Sequence, residues 1–251
     1  MSHHHHQDTQ TTMVKVVADH TWWESFVASW SMILVSEIGD KTFFIACLLA
    51  MRHSRIIVFT GAIAALALMT VLSSLMGVLV PSLLSVRVTQ GLAVVLFFGF
   101  GCKILYEALC QTHTEGEEEE DEMAEAAAAL GKKGDVEAGE ATSPGKSKWP
   151  GIISPVMVQA FTLTFVAEWG DRSQIATIAL AAAKNPYAVT LGGIIGHAMC
   201  TGGAVIAGNL IAQKISHKTI NVSGGVLFVL FAIFTLYEML QTPEHLLTLK
   251  A

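Results

Sequence analysis

Charge is scarce in this chain. Asp, Glu, Lys and Arg supply only 14 % of the 251 residues while 52 % are hydrophobic, and a soluble globular domain carries about a quarter charged residues. An ordinary soluble domain is therefore excluded, and the lipid bilayer becomes the expected solvent. Cysteine is limited to Cys47, Cys102, Cys110 and Cys200, all in or at the ends of apolar runs. They show neither metal-ligand spacing nor a disulfide framework, and read as small apolar packing residues. No nucleophile and base recur together, no cofactor fingerprint appears and nothing points to nucleic acid, so neither an enzyme nor a resident cofactor is expected. The first 21 residues lack the charged-then-apolar layout of a cleavable signal peptide, which leaves the first apolar run to direct insertion. His3 to His6 stand in this polar stretch with no carboxylate or cysteine to frame a metal site, and read as part of a tail.

What the chain does have is six apolar runs, near residues 25–51, 56–80, 88–110, 152–182, 187–212 and 220–241, each long enough to cross a bilayer as a helix. Trp22, Trp23 and Trp30 mark a membrane interface at the entry to the first. Pro81, Pro150, Pro155 and Pro186 fall where runs end or begin, places where a missing backbone donor costs little. The runs form two copies. Glu37-Ile38-Gly39-Asp40-Lys41-Thr42 returns 131 residues later as Glu168-Trp169-Gly170-Asp171-Arg172-Ser173. The same displacement, without a gap, aligns Gly61 with Gly192, Thr70 with Thr201, Gly77 with Gly208, Ser85 with Ser216, and Leu105-Tyr106-Glu107 with Leu236-Tyr237-Glu238. Three spans per copy is an odd number, so the second copy must enter the membrane from the opposite side. The expected fold is all-α, six transmembrane helices as two inverted three-helix repeats. Its divisions are an N-terminal tail (1–24), a first repeat (25–110), an acidic linker (111–150), a second repeat (151–241) and a C-terminal tail (242–251).

The net charge of −6 comes from the linker, where residues 111–148 hold eleven acidic residues against four lysines. That stretch opens with Glu117 to Glu122, passes through alanines and ends in Gly, Ser, Pro and Lys. Such a composition predicts a solvated connector, with a cation-gathering acidic antenna as the alternative. Outside the spans, Arg52, Arg55, Lys132, Lys133, Lys146, Lys148, Lys214 and Lys218 fall on the linker side, against Lys15, Arg87, Lys184 and Lys250 on the other. The excess of basic residues predicts a cytosolic linker with both termini lumenal or outside.

Each motif lies near the middle of its run, where a carboxylate is expensive unless paired or facing water, so a functional site is the default expectation. If the segment stays helical, Glu37 and Asp40 share one face, as do Glu168 and Asp171. Gly39 and Gly170 instead permit a bend or an unwound turn that bares backbone carbonyls. A two-fold axis would bring the motifs together, giving four carboxylates, Lys41 and Arg172, the hydroxyls of Thr42 and Ser173, and the amide of Gln174. That oxygen-rich set suits hard divalent cations such as Ca²⁺ and Mn²⁺; zinc or copper would call for histidine or thiolate. Four carboxylates against two cationic side chains leave −2, which one divalent ion or two protons would neutralise. Metal and protons then compete for the same oxygens as a coupled set, which is the logic of an antiporter. Glu107 and Glu238, near opposite mouths, are candidate gates or ordinary interfacial residues. The small residues of the fifth run permit close helix packing, with an unwound substrate-lining segment as the alternative, and His197 within it reads as a hydrogen-bonded structural residue or a proton carrier.

On these two hexapeptides the chain resembles the transmembrane protein 165 family of cation/proton exchangers, whose mark is a doubled Glu-x-Gly-Asp-(Lys/Arg)-(Thr/Ser). Flanking residues 36–46 and 159–165 look like the eukaryotic Golgi members in particular. The resemblance implies Mn²⁺ and Ca²⁺ uptake into the Golgi lumen in exchange for protons, in support of metal-dependent glycosylation. It also implies a ligand role for Glu37, Asp40, Glu168 and Asp171, with Thr42, Ser173 and Gln174 as neighbours. Three competitors stand beside it. The carboxylates could merely form buried ion pairs; the substrate could be a small organic cation, for which only Trp169 hints at an aromatic lining; or the protein could be a non-transporting scaffold whose linker binds partners.

Overall fold

Helices account for nearly all of the described residues of the computed structural model, which are 21–110, 123–131, 154–212 and 217–241. In chain order they are α1 (21–37), α2 (Lys41–Arg52), α3 (Arg55–Leu83), α4 (Val86–Cys110), α5 (123–131), α6 (Pro155–Glu168), α7 (Arg172–Ala183), α8 (Pro186–Ala212) and α9 (His217–Gln241). The His3–His6 run, the C-terminal tail and most of the acidic linker lie outside the described residues.

Starts and stops follow local chemistry. Ser154 accepts a hydrogen bond from Val156 N, and Pro155 occupies the first turn of α6, where its missing N–H costs nothing. Asn185 Oδ1 accepts from Tyr187 N and Ala188 N, both at 3.1 Å, and so opens α8. Among the described residues, four helices are long and apolar enough to cross a membrane: Arg55–Val80, Arg87–Cys110, Pro186–Ile206 and Asn221–Gln241. The runs at 25–51 and 152–182 are not single helices. Each is a pair of shorter ones, α1 with α2 and α6 with α7, parted at the charged motif. The helix bounds repeat with the sequence. Displacing α2 and α4 by 131 residues reproduces both ends of α7 and α9, and the starts of α3 and α8 stand in the same relation.

Packing brings the copies into one bundle. α3 lies against α6, α7 and α8, α2 against α6 and α8, and α4 against α9 and α7. Close approach depends on glycine: a Cβ on Gly61 would meet Met157 O at 2.5 Å, and one on Gly192 would meet Phe26 O at 2.4 Å. These two contacts are themselves 131 residues apart on both sides. The small residues of the fifth run thus serve packing, within a helix that stays continuous from Pro186 to Ala212.

The linker departs from expectation. Its alanine run forms α5, in which Ala126 is only 1 % exposed. Ala126, Met123 and Leu130 join a cluster with Phe43, Phe44, Leu49, Val58, Ala160 and Val205. The reason is local: Met123, Ala126 and Leu130 fall on one face of a segment made of strong helix formers, a stripe that averaging over the acidic linker conceals. Ala126→Asp should place a charge in that cluster and release α5. Limited proteolysis should then cut the linker faster while the thermal midpoint of the bundle holds; an unchanged digestion pattern would contradict the docking.

Candidate cation site

The motif Glu-x-Gly-Asp is a helix stop followed at once by a helix start. Gly39 and Gly170 adopt φ of 80° and 81°, the only positive-φ residues among those described, a conformation that ends a helix and that glycine alone enters freely. The next residues, Asp40 and Asp171, are extended and stand at the N-cap of α2 and α7, where a carboxylate faces the positive end of a helix dipole. A turn closes each break, with Asp40 N donating to Glu37 O at 3.3 Å and Asp171 N to Glu168 O at 3.1 Å. Glu37 and Glu168 are thus the last helical residues of α1 and α6. The alternative in which both carboxylates of a motif share one helical face is therefore overturned: glycine separates them onto two helices.

The breaks face each other. Carboxylate oxygens of Glu37, Glu168 and Asp171 all lie within 4.8 Å of one another. Glu37 and Glu168 are each 3 % exposed, and Glu37 Oε1, Asp40 Oδ2 and Glu168 Oε1 are buried with no hydrogen-bond partner. Asp40 stands outside the 4.8 Å group but interacts electrostatically with Asp171, Arg172 and Lys41. The halves differ in their caps: Asp171 Oδ2 accepts from Ser173 N at 3.4 Å, whereas the Asp40 side chain makes no capping bond. Ser173 Oγ donates to Glu168 Oε2 at 3.4 Å, and Gln174 Oε1 accepts from Gly170 N at 2.8 Å, bracing the break. Thr42 and Ser173 are buried, while Lys41, Arg172 and Gln174 are half-buried at the first turns of α2 and α7.

Glu107 and Glu238 are elsewhere. Glu107 pairs with Lys103 at 3.8 Å on an exposed face of α4. Glu238 receives a hydrogen bond from Lys184 at 2.9 Å, and that ammonium sits 4.7 Å from the centre of the Phe234 ring. Trp169 is 65 % exposed and continues a ladder through Phe165 and Phe161, so it lines no cavity at the site. Sequence reasoning passed over Ser73, Thr70 and Thr177. With His197 and Glu168 they line a cavity of about 10 Å³ beside the carboxylates. The available signal was polar residues recurring at helical spacing along otherwise apolar spans.

Comparison with known proteins adds an independent line. A family model described as "Divalent cation/proton antiporter GDT1" matches residues 25–112 and 156–243. GDT1-like protein 3 of Oryza sativa subsp. indica is 47 % identical over 210 residues, covering 84 % of this chain and 72 % of that protein. The Saccharomyces cerevisiae protein named divalent cation/proton antiporter GDT1 is 40 % identical over 259 residues, covering 94 % and 91 %. GDT1-like protein 5 of Arabidopsis thaliana is 41 % identical over 226 residues, covering 88 % and 96 %. No solved structure matches the chain.

The glycine break can be tested alone. A Cβ on Gly170 would meet no atom within 4 Å, so Gly170→Ala should cost only the left-handed backbone penalty, roughly 1–2 kcal/mol. A lower thermal midpoint and weaker divalent-cation binding are expected together; wild-type values for both would show that the break tolerates an ordinary residue.

Proposed function

Since the chain belongs to the GDT1 family of divalent cation/proton antiporters, transporters and not enzymes, we propose that Glu37, Asp40, Glu168 and Asp171 form the shared site at which it exchanges Mn²⁺ or Ca²⁺ for protons. Lys41, Thr42, Arg172, Ser173 and Gln174 support that site. The observation that carries the reading is the convergence of Glu37 with Glu168 and Asp171, from two separate helix breaks, with buried and unpartnered oxygens on Glu37 and Glu168. Buried carboxylates in this setting have two ways to become neutral, by binding a divalent cation or by taking up protons. One site that does each in turn couples the two flows. The ion-pair reading fits poorly with oxygens that have no hydrogen-bond partner. An organic cation fits poorly with a cavity of about 10 Å³ and an aromatic that faces outward.

The chain is an integral multi-pass membrane protein. Its arrangement as six spans in two inverted repeats, 25–110 and 151–241, is supported by the displaced helix bounds and by the paired contacts of Gly61 with Met157 and of Gly192 with Phe26. On this reading each broken pair makes one span, and helix ends meet at mid-depth as in other transporters with discontinuous helices. The cytosolic linker and lumenal termini rest on the basic-residue count. A Golgi membrane, and a part in metal-dependent glycosylation, rest on resemblance to the Golgi-type exchangers. With a lumen more acidic than the cytosol, metal would load on the linker side and leave on the other.

Two experiments test this reading. Glu37→Gln, Glu168→Gln and Asp171→Asn should each weaken Mn²⁺ and Ca²⁺ binding to purified protein by at least about tenfold, and wild-type affinity should fall as pH is lowered, because protons occupy the ligand oxygens. Undiminished binding in two of the variants, or affinity indifferent to pH, would sink the shared site. Separately, protease added to the cytosolic face of sealed membranes should cut the 111–150 linker. Protection there would reverse the orientation and leave the repeat untouched.

A further inference from the structure

We propose that the small polar cavity beside the carboxylates is an inner coordination station, at which the imidazole of His197, the hydroxyl of Ser73 and the carboxylate of Glu168 take a first-row divalent ion such as Mn²⁺ in preference to Ca²⁺. This rests on the cation-site reading above and adds what sets the choice of cation. Three helices supply the groups: Ser73 from α3, Glu168 from the end of α6 and His197 from α8. All three residues line the cavity, and all three are buried, His197 to 5 % exposure. Each carries a buried polar atom without a hydrogen-bond partner, namely His197 Nδ1, Ser73 Oγ and Glu168 Oε1. Unsatisfied buried polar atoms are rare because each forfeits its hydration. Three around one cavity make a donor set suited to one small cation.

Size and chemistry narrow the occupant. A volume of about 10 Å³ holds one water or one ion of similar size. The hydroxyls of Thr70 and Thr177 donate to Leu66 O at 2.7 Å and Ser173 O at 2.8 Å, which fixes their protons and leaves oxygen lone pairs free. Ca²⁺ seeks six to eight oxygens, and a cramped site with a nitrogen donor serves it badly. First-row divalent ions accept mixed nitrogen and oxygen ligands. The cavity is lined from both repeats, but its polar set is not repeated. The 131-residue displacement pairs His197 with Leu66 and Ser73 with Ala204, so duplication alone does not account for the polar set.

The direct test is pulsed electron paramagnetic resonance of Mn²⁺ bound to the purified full-length protein, with and without ¹⁵N-histidine labelling. Nuclear modulation from ¹⁴N that ¹⁵N-histidine replaces is expected in the wild type, and this readout needs no substitution. His197→Leu, which installs the residue found at the matching place in the other repeat, and His197→Asn should abolish the histidine signal. Both should lower the ratio of Mn²⁺ to Ca²⁺ affinity about tenfold. Mn²⁺ that is bound with oxygen couplings alone, with an unchanged affinity ratio in both variants, would mean that the cavity holds a water only and would overturn the station. Failure of the shared site reads differently: Mn²⁺ binding would then be insensitive to Glu37→Gln and Asp171→Asn, whatever His197 does.

Discussion

Carboxylates held inside a membrane protein without enough positive charge are the constraint on which the rest of this molecule depends. Glu37 and Glu168 are almost wholly buried, and oxygens of both lack hydrogen-bond partners. In hydrocarbon such groups persist only where they have work to do or partners to meet. The fold supplies both conditions. Two glycine-centred breaks end α1 and α6, begin α2 and α7, and bring helix ends, whose dipoles are otherwise cancelled by the next turn, to the same place. The unbroken helix α3 packs against α6 and α7 on either side of the second break, and α8 packs against α2 and, through Gly192, against α1 on either side of the first. This packing keeps the carboxylates near one another despite their repulsion.

Much of this was legible in the sequence because it rests on local chemistry repeated twice. The doubled hexapeptide, its 131-residue displacement and the apolar runs point to a helical membrane protein with a paired charged site. Glycine between glutamate and aspartate already permits the turn that φ of 80° realises. Legibility failed where an answer depended on which face a residue turns. Whether Glu37 and Asp40 share a helix is decided by one backbone angle. The role of Trp169 is decided by an outward-facing ladder that no spacing within the motif encodes. In the linker, six consecutive acidic residues mask the apolar stripe of Met123, Ala126 and Leu130, which only tertiary contact with Phe43, Val58 and their neighbours reveals.

The two halves are alike in backbone and unlike in detail, and the differences have consequences. Asp171 caps its helix through Ser173 N while Asp40 leaves an oxygen unpartnered. Near Glu168 lies a polar cavity lined from both repeats, and the 131-residue displacement pairs its His197 with Leu66 and its Ser73 with Ala204. A site built from near-equal halves can open to either side at similar cost, which suits alternating access. On the proposed reading, unequal groups at its centre hold the ion and the proton in different ways.

Coupling is the central claim, and simultaneous flux measurement reaches it most directly. Purified protein in sealed proteoliposomes, with a Mn²⁺-sensitive dye and a pH-sensitive dye trapped inside, reports both ions at once. If metal and protons share one carboxylate site, an acid interior should drive Mn²⁺ inward against its gradient and the interior should alkalinise in step. Mn²⁺ entry that ignores the pH gradient, with no accompanying proton movement, would contradict it.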